Sequence, residues 1–299
     1  MYSVRPGKKM SLFKNPLLAV FLAVASSVLV AVSGVHAADA YALKFDGTDD
    51  RVDVGTALVS SDITMSAWIK PNTPWVNDAR VIISNSYWGA AAGRVGFHLQ
   101  FQSNGRAVSR FQSEADGVGV WSASGTTDVP GTWHHLAYVK QGTRLSIVVD
   151  GKEEGSRNDT PASVTGLAVL NQIRIGCNNS NARFVPGLID EVRIWNYALT
   201  LAEIQESMSH ELRGNEAGLV GYWKFNDGQG TTALDSAPTP HNGTLVGGTA
   251  WTTEIPPVTM GPLPLSASGA SRPPGRPMCR ATRYSVGRRE PMPIRMMYT

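Results

Sequence analysis

From residue 41 to 252 the chain alternates apolar and polar positions in short runs. Ile63, Met65, Ala67 and Ile69 alternate with Thr64, Ser66, Trp68 and Lys70. That period of two predicts a half-buried strand. A second pair of strands is expected at 133–139 and at Leu145, Ile147 and Val149, joined through Gln141-Gly142. Asp150-Gly151 then offers the positive φ angles that a tight hairpin turn needs. Further strands are expected at 41–45, 51–54, 80–84, 95–102, 107–112, 172–175, 188–195 and 218–225. One short helix is expected near 200–210, where Thr200 and Glu203 form a capping box ahead of Leu201, Ile204 and Met208. Many short strands between Gly-rich turns, with one helix, predict an all-β protein of two packed antiparallel sheets. There is no alternation of strand and helix, which argues against a dinucleotide-binding fold.

Composition divides the 299 residues into three segments. The net charge of +3 averages +4 over residues 1–37, −7 over 38–256 and +6 over 257–299. The central segment is therefore acidic, which argues against nucleic acid as its partner. Residues 16–32 are apolar apart from two serines, follow a basic stretch and precede Val35-His36-Ala37. This is the layout of a secretory signal peptide (1–37) cut after Ala37, with an uncleaved anchor as the alternative. Either way the domain is expected outside the cytoplasm, with no membrane insertion once the signal is removed. From Pro256 onward lie nine of the 18 prolines, and every basic residue there is arginine. Residues 257–299 are expected to be a disordered Pro/Arg-rich tail, either genuine or read out of frame. The two cysteines, Cys177 and Cys279, give neither a disulfide framework nor zinc-site spacing, and both are expected free or paired between molecules.

Six blocks carry a resemblance. They are Ala42 to Val52 (ALKFDGTDDRV), Ile63 to Pro71 (ITMSAWIKP), Gly131 to Ala137 (GTWHHLA), Val148 to Lys152 (VVDGK), Gly187 to Asn196 (GLIDEVRIWN) and Gly218 to Asn226 (GLVGYWKFN). In this order and spacing the chain resembles the LamG-like (laminin G-like, concanavalin A-like lectin/glucanase) domains over nearly all of 41–252. The resemblance implies a two-sheet jelly-roll sandwich that serves binding or adhesion, often as one module of a larger surface protein. Fold alone does not settle function.

Catalytic patterns are missing. No nucleophile elbow, zinc-protease helix or phosphate loop occurs. A glycosidase on this fold would need two carboxylates facing one cleft. Asp190 and Glu191 are adjacent on a strand and are expected to point to opposite faces. By the same rule His134 and His135 point apart and do not form a metal pair.

Two kinds of site remain. Calcium needs several oxygen ligands, and Asp46, Asp49, Asp50, Asp190, Asp227 and Asp235 stand near the motif turns. The resemblance points to Asp46 and Asp190, and Asp46, Asp190 and Asp235 are the metal candidates for one structural calcium ion. Asp190 shares strand parity with Val192 and Ile194 and is expected to point inside with them. Sugar rings stack on exposed aromatic faces. Trp75, Tyr87, Trp88 and Trp121 lie in Gly- or Asn-containing connections and are the ligand-binding candidates, unless they only cover the sandwich edge. Trp68, Trp133, Trp195 and Trp223 are assigned to packing. The function expected is a secreted, non-catalytic module that recognises an extracellular glycan or surface protein. The alternatives are a structural spacer from a truncated surface protein and, further off, a glycoside hydrolase.

Overall fold

The computed structural model describes residues 40–55, 60–72, 78–86, 95–113, 119–129, 131–162 and 172–259. Residues 1–39, where a signal peptide is expected, the stretch beyond 259 with Cys279, and Trp75, Tyr87 and Trp88 lie outside the described residues. No helix among the described residues is long and apolar enough to cross a membrane.

Among the described residues, sixteen strands form two eight-stranded antiparallel sheets. In chain order they are β1 (Ala42–Asp46), β2 (Arg51–Gly55), β3 (Ile63–Pro71), β4 (Arg80–Ser84), β5 (Val95–Phe101), β6 (Arg106–Ser113), β7 (Gly119–Asp128), β8 (His134–Gln141), β9 (Arg144–Val149), β10 (Lys152–Arg157), β11 (Ile173–Ile175), β12 (Pro186–Trp195), β13 (Leu219–Trp223), β14 (Thr232–Ala233), β15 (Gly243–Val246) and β16 (Ala250–Thr252). The first sheet runs β10-β9-β8-β3-β12-β1-β16, with β13 also paired to β12. The second runs β14-β15-β2-β11-β4-β5-β6-β7. The two-sheet antiparallel sandwich expected from the pattern is present.

Each sheet turns alternate residues inward. Leu43, Phe45, Met65, Ala67, Ile69, Leu136, Tyr138, Ile147, Ile189 and Ile194 of the first sheet meet Val52, Ile83, Phe97, Leu99, Phe111 and Ile175 of the second in one buried core. Burying a side chain of this size stabilises the fold by about 1.5–3 kcal/mol, so the core holds the sheets together. The β9–β10 turn follows from Asp150 at φ 48° and Gly151 at φ 73°, two left-handed residues in succession.

The helix α1 (Leu201–Ser207) starts at the expected capping box: the Thr200 hydroxyl accepts from the Glu203 N–H, and the Glu203 carboxylate accepts from Thr200. A second, smaller core forms on the outer face of the first sheet. There Ile204 and Leu212 pack with Ala198 and Leu199 on Val139, Val148, Trp195 and Tyr222.

One expectation fails at β12. The register jumps from Asp190 opposite Trp68 to Arg193 opposite Ser66, and Glu191 takes φ 51°. This is a β-bulge, which inserts a residue and resets the alternation. Val192 and Ile194 face the core as expected, but Asp190 lies opposite the outward-facing Trp68 rather than inside with them. The bulge also removes the expected separation of Asp190 from Glu191: both are buried, and the charge of Glu191 adds to burial in pushing the Asp190 carboxyl well above the usual carboxylate range.

Arg193 answers this concentration of acid. It is fully buried and donates to the Glu191 carboxylate, to the Ser207 carbonyl and, at 2.7 Å, to the His210 carbonyl. Tyr222 donates to the same Glu191 oxygen at 2.7 Å, and its ring lies 5.2 Å from the guanidinium carbon. Trp68 Nε1 donates to the Met208 carbonyl at 2.9 Å. These bonds tie the end of α1 and the segment after it to the sheet. Arg193→Ala would leave Glu191 buried without its cation, a loss of about 3–5 kcal/mol. Urea unfolding measures it; a change under ~1 kcal/mol would contradict this role.

Candidate binding surface

Facing outward from the second sheet, one row of polar residues crosses all eight strands. Register places Thr232 beside Thr244, Thr244 beside Asp53, and Asp53 beside Arg174. It continues from Arg174 to Ser84, His98, Arg110 and Ser122. Their neighbours along each strand, among them Val52, Ile83, Phe97, Phe111 and Ala123, point into the core. With adjacent strands ~4.8 Å apart, the row spans about 34 Å.

The row is open at its ends and covered at its middle. Thr232 and Thr244 are exposed, Asp53, Arg174, Arg110 and Ser122 are half-buried, and Ser84 and His98 are buried. Ser84 Oγ lies 2.9 Å from His98 Nδ1 and donates to the Ser86 carbonyl at 3.0 Å. Gln112 Nε2 donates to Ser86 Oγ, and the Phe97 N–H donates to Asn85 Oδ1 at 2.9 Å. Gln100, in the adjoining row, is buried with its Oε1 lacking a hydrogen-bond partner.

A turn over 176–185 borders the covered middle. Asn178 Oδ1 accepts from the N–H groups of Ser180 and Ala182, and the Asn179 N–H reaches the Ser86 carbonyl at 3.2 Å. Asn181 and Arg183 are held at φ 52° and 63° in the left-handed region, which costs a non-glycine residue free energy. Arg183 also pairs with Asp78. Arg174 pairs with Asp53 at 3.0 Å, as Arg51 does at 3.2 Å.

The sequence candidates fall as follows. Trp121 lies within β7 rather than in a connection. Its ring is half-buried on the inward side, packed on the core with its centroid 5.8 Å from that of Phe111. Asp46 joins Asp49 and Asp50, whose carboxylate oxygens all lie within 4.8 Å of one another, the one such group of three among the described residues. Asp50 Oδ2 accepts from the Asp46 N–H at 2.8 Å, and its carboxylate is buried beside the Gly248 backbone. Burial raises the Asp50 pKa, and the charges of Asp46 and Asp49 add to it against the backbone hydrogen bonds of Asp46 and Gly248. A cation would relieve this repulsion, and an all-oxygen donor set suits a hard one. Asp190 and Asp235 stand outside the cluster. Asp235 accepts from the N–H groups of Tyr222, Ala237 and His241, each at 2.8 Å, and so fastens the 235–242 turn to β13.

The two histidines point apart as expected. His134 sits at the rim, with Nδ1 2.7 Å from Asp150 and Nε2 3.0 Å from Thr132 Oγ1. His135 is buried on the outer face against Trp68, ring centroids 5.6 Å apart. The thiol of Cys177 is buried and its pKa pushed up to about 11, which makes it a poor nucleophile.

Comparison with known proteins places the chain in a family. It belongs to the concanavalin A-like lectin/glucanases superfamily, whose model matches residues 46–205. No curated relative matches it. Among solved structures it is similar to a Bacteroides ovatus protein proposed to bind carbohydrate, at 19% identity and TM-score 0.55, over 74% of this chain and 61% of that one. The chain thus spans less than two thirds of that protein. Domain 4 of AbnA, an extracellular arabinanase of Geobacillus stearothermophilus, bound to arabinotriose, matches at 22% identity and TM-score 0.42, over 55% and 75% of the two chains. Domains LG4-5 of the mouse laminin α1 chain match at 18% identity and TM-score 0.39, over 55% and 43%.

His98 and His135 make acid stability a readout of these outer faces. Burial, helped by Arg110 and Arg183 for His98 and by Arg193 for His135, lowers each pKa to about 3. The unfolded chain binds their protons near pH 6.5, so stability falls as pH drops from 6.5 toward 3. At pH 5 the loss is about 2 kcal/mol for each histidine. Urea unfolding at pH 7 and pH 5 measures it, and His135→Gln should remove about half of the combined effect.

Proposed function

We propose that the domain is an extracellular, non-catalytic module that recognises carbohydrate through the outer face of its second sheet. The carrying observation is the polar row from Thr232 to Ser122, in which Thr232, Thr244, Asp53, Arg174, Arg110 and Ser122 reach the surface on either side of the buried Ser84–His98 pair. A sugar chain presents hydroxyls at regular intervals, and threonine, aspartate, arginine and serine offer donors and acceptors along that line. Backbone pairing fixes the spacing of those groups, so little entropy is lost in ordering them on binding. The outer face of the first sheet is less suited, because α1 and the second core cover much of it. The Bacteroides ovatus protein of the same fold, itself proposed to bind carbohydrate, is consistent with this reading. The amino-terminal signal layout accounts for an extracellular location.

A glycan array with the full chain tests the reading. Saturable binding to a polysaccharide is expected, weakened at least tenfold by Ser122→Trp and unaffected by Lys44→Trp on the first sheet. Silence across neutral and acidic polysaccharides alike would favour the spacer instead.

We also infer one structural calcium ion at Asp46, Asp49 and Asp50. The buried Asp50 carboxylate beside two exposed carboxylates, all within 4.8 Å of one another, supports it. Calcium at a hundredfold excess over its dissociation constant would add about 2.7 kcal/mol of stability. The melting midpoint should rise with calcium over EDTA, and Asp49→Asn should reduce the rise. Equal midpoints would remove the ion from the account.

A further inference from the structure

The second core leaves a gap. Where the start of α1 stands over β8, β9 and β10, a half-open cavity of about 170 Å³ remains on the outer face of the first sheet, away from the polar row. An engineered apolar cavity of ~150 Å³ takes up benzene, so this one has room for a single ring-sized group. Val139, Val148, Leu199 and Ile204 line it, all four buried in the second core. Leu201 lines it too and is 41% exposed, so the apolar surface runs from the interior out to the mouth.

Three further observations define its chemistry. Ser146, which also lines the cavity, stands opposite Val139 on the neighbouring strand and is 3% exposed. Its carbonyl accepts from Ser109 Oγ at 2.8 Å, but its hydroxyl meets no hydrogen-bond partner among the described residues. A buried hydroxyl in that position is costly until a polar atom joins it. The apolar lining is aliphatic throughout, with no aromatic face on which a sugar ring would stack. The rim charges Arg144 and Glu153 pair with each other, while α1 adds the exposed Glu203 and Glu206 and no base. The mouth is therefore acidic.

We infer that this cavity receives a tyrosine side chain from a basic segment of a partner protein. The ring lies on Val139, Val148, Leu199 and Ile204, and the phenol reaches the Ser146 hydroxyl. Lysine or arginine residues beside the anchor face Glu203 and Glu206 on α1, where opposite charge favours the encounter. Tyrosine fits because it joins a large apolar body to one polar tip. The inference is independent of the carbohydrate reading, which concerns the other sheet.

Amide-shift titration of the full chain tests it with three capped peptides, Lys-Lys-Tyr-Lys-Lys, Lys-Lys-Phe-Lys-Lys and Glu-Glu-Tyr-Glu-Glu, and with methyl glucoside as the sugar control. The lysine-flanked tyrosine peptide should give saturable shifts centred on Val139, Ser146, Val148 and Leu201. It should bind about threefold or more tightly than the phenylalanine peptide, the worth of one hydrogen bond. Against the glutamate-flanked peptide the gain should be about tenfold or more and should shrink at high salt. Ser146→Ala should erase the preference for tyrosine while leaving the phenylalanine peptide unchanged. Leu201→Gln, at the exposed mouth, should weaken both lysine-flanked peptides and provides a second variant should Ser146→Ala not fold. Shifts centred elsewhere, saturable shifts at these residues with methyl glucoside, equal affinity for lysine- and glutamate-flanked peptides, or a tyrosine preference that survives Ser146→Ala would overturn the inference. Glycan binding on the array should be the same in both variants, so its loss or absence bears on the other sheet alone.

Discussion

Every strand in a sandwich has two faces, and the shared core claims one of them. Filling that core uses alternate residues of both sheets, from Phe45 and Ile189 on one side to Phe97 and Ile175 on the other. What the protein can do is then decided by the residues left outside. The two outer faces have met this constraint differently. On the first sheet Tyr222, Trp195, Val139 and Val148 form a second apolar layer under α1. Arg193 fixes that cover by bonding two of its carbonyls. On the second sheet the outward residues are hydroxyls, amides, an imidazole and guanidiniums in register. One face is covered and spent on stability, and the other carries the surface proposed for recognition.

The bulge at Glu191 makes the first arrangement possible. Without the extra residue, Arg193 and Val192 would exchange faces, since a one-residue slip inverts a strand. A buried arginine would then enter the hydrocarbon core. With the bulge, Arg193 meets Glu191, Tyr222 and the end of the helix, and both of its terminal guanidinium nitrogens find acceptors. The left-handed Glu191 is the local cost, offset by its bonds to Arg193 and Tyr222.

Much of this was legible in the sequence where the signal is local. The alternation from Ile63 to Ile69, the Asp150-Gly151 turn and the Thr200–Glu203 capping box each depend on residues a few positions apart, and each is present. The six motif blocks identified the family for the same reason. The bulge was not legible, because Asp190-Glu191 carries no glycine or proline to mark a break. β7 was missed because Gly119 to Asp128 is rich in glycine, serine and threonine, so its pattern is weak although its pairing with β6 is extensive. The polar row was least visible of all. Asp53, Ser84, His98, Arg110, Ser122, Arg174 and Thr244 come from seven strands, and only register brings them into line. A sequence reading looks for sugar sites in aromatic loops, because an aromatic residue is conspicuous by type. A ladder of ordinary polar residues becomes visible only through strand order.

The central claim is that ligand meets the outer face of the second sheet. Mapping amide chemical shifts during titration with a bound oligosaccharide tests it most directly. The account predicts that the largest changes fall on Asp53, Arg110, Ser122, Arg174 and Thr244, with α1 and β8 unmoved. Changes concentrated around α1, or along the outer side of β3 and β12, would contradict it.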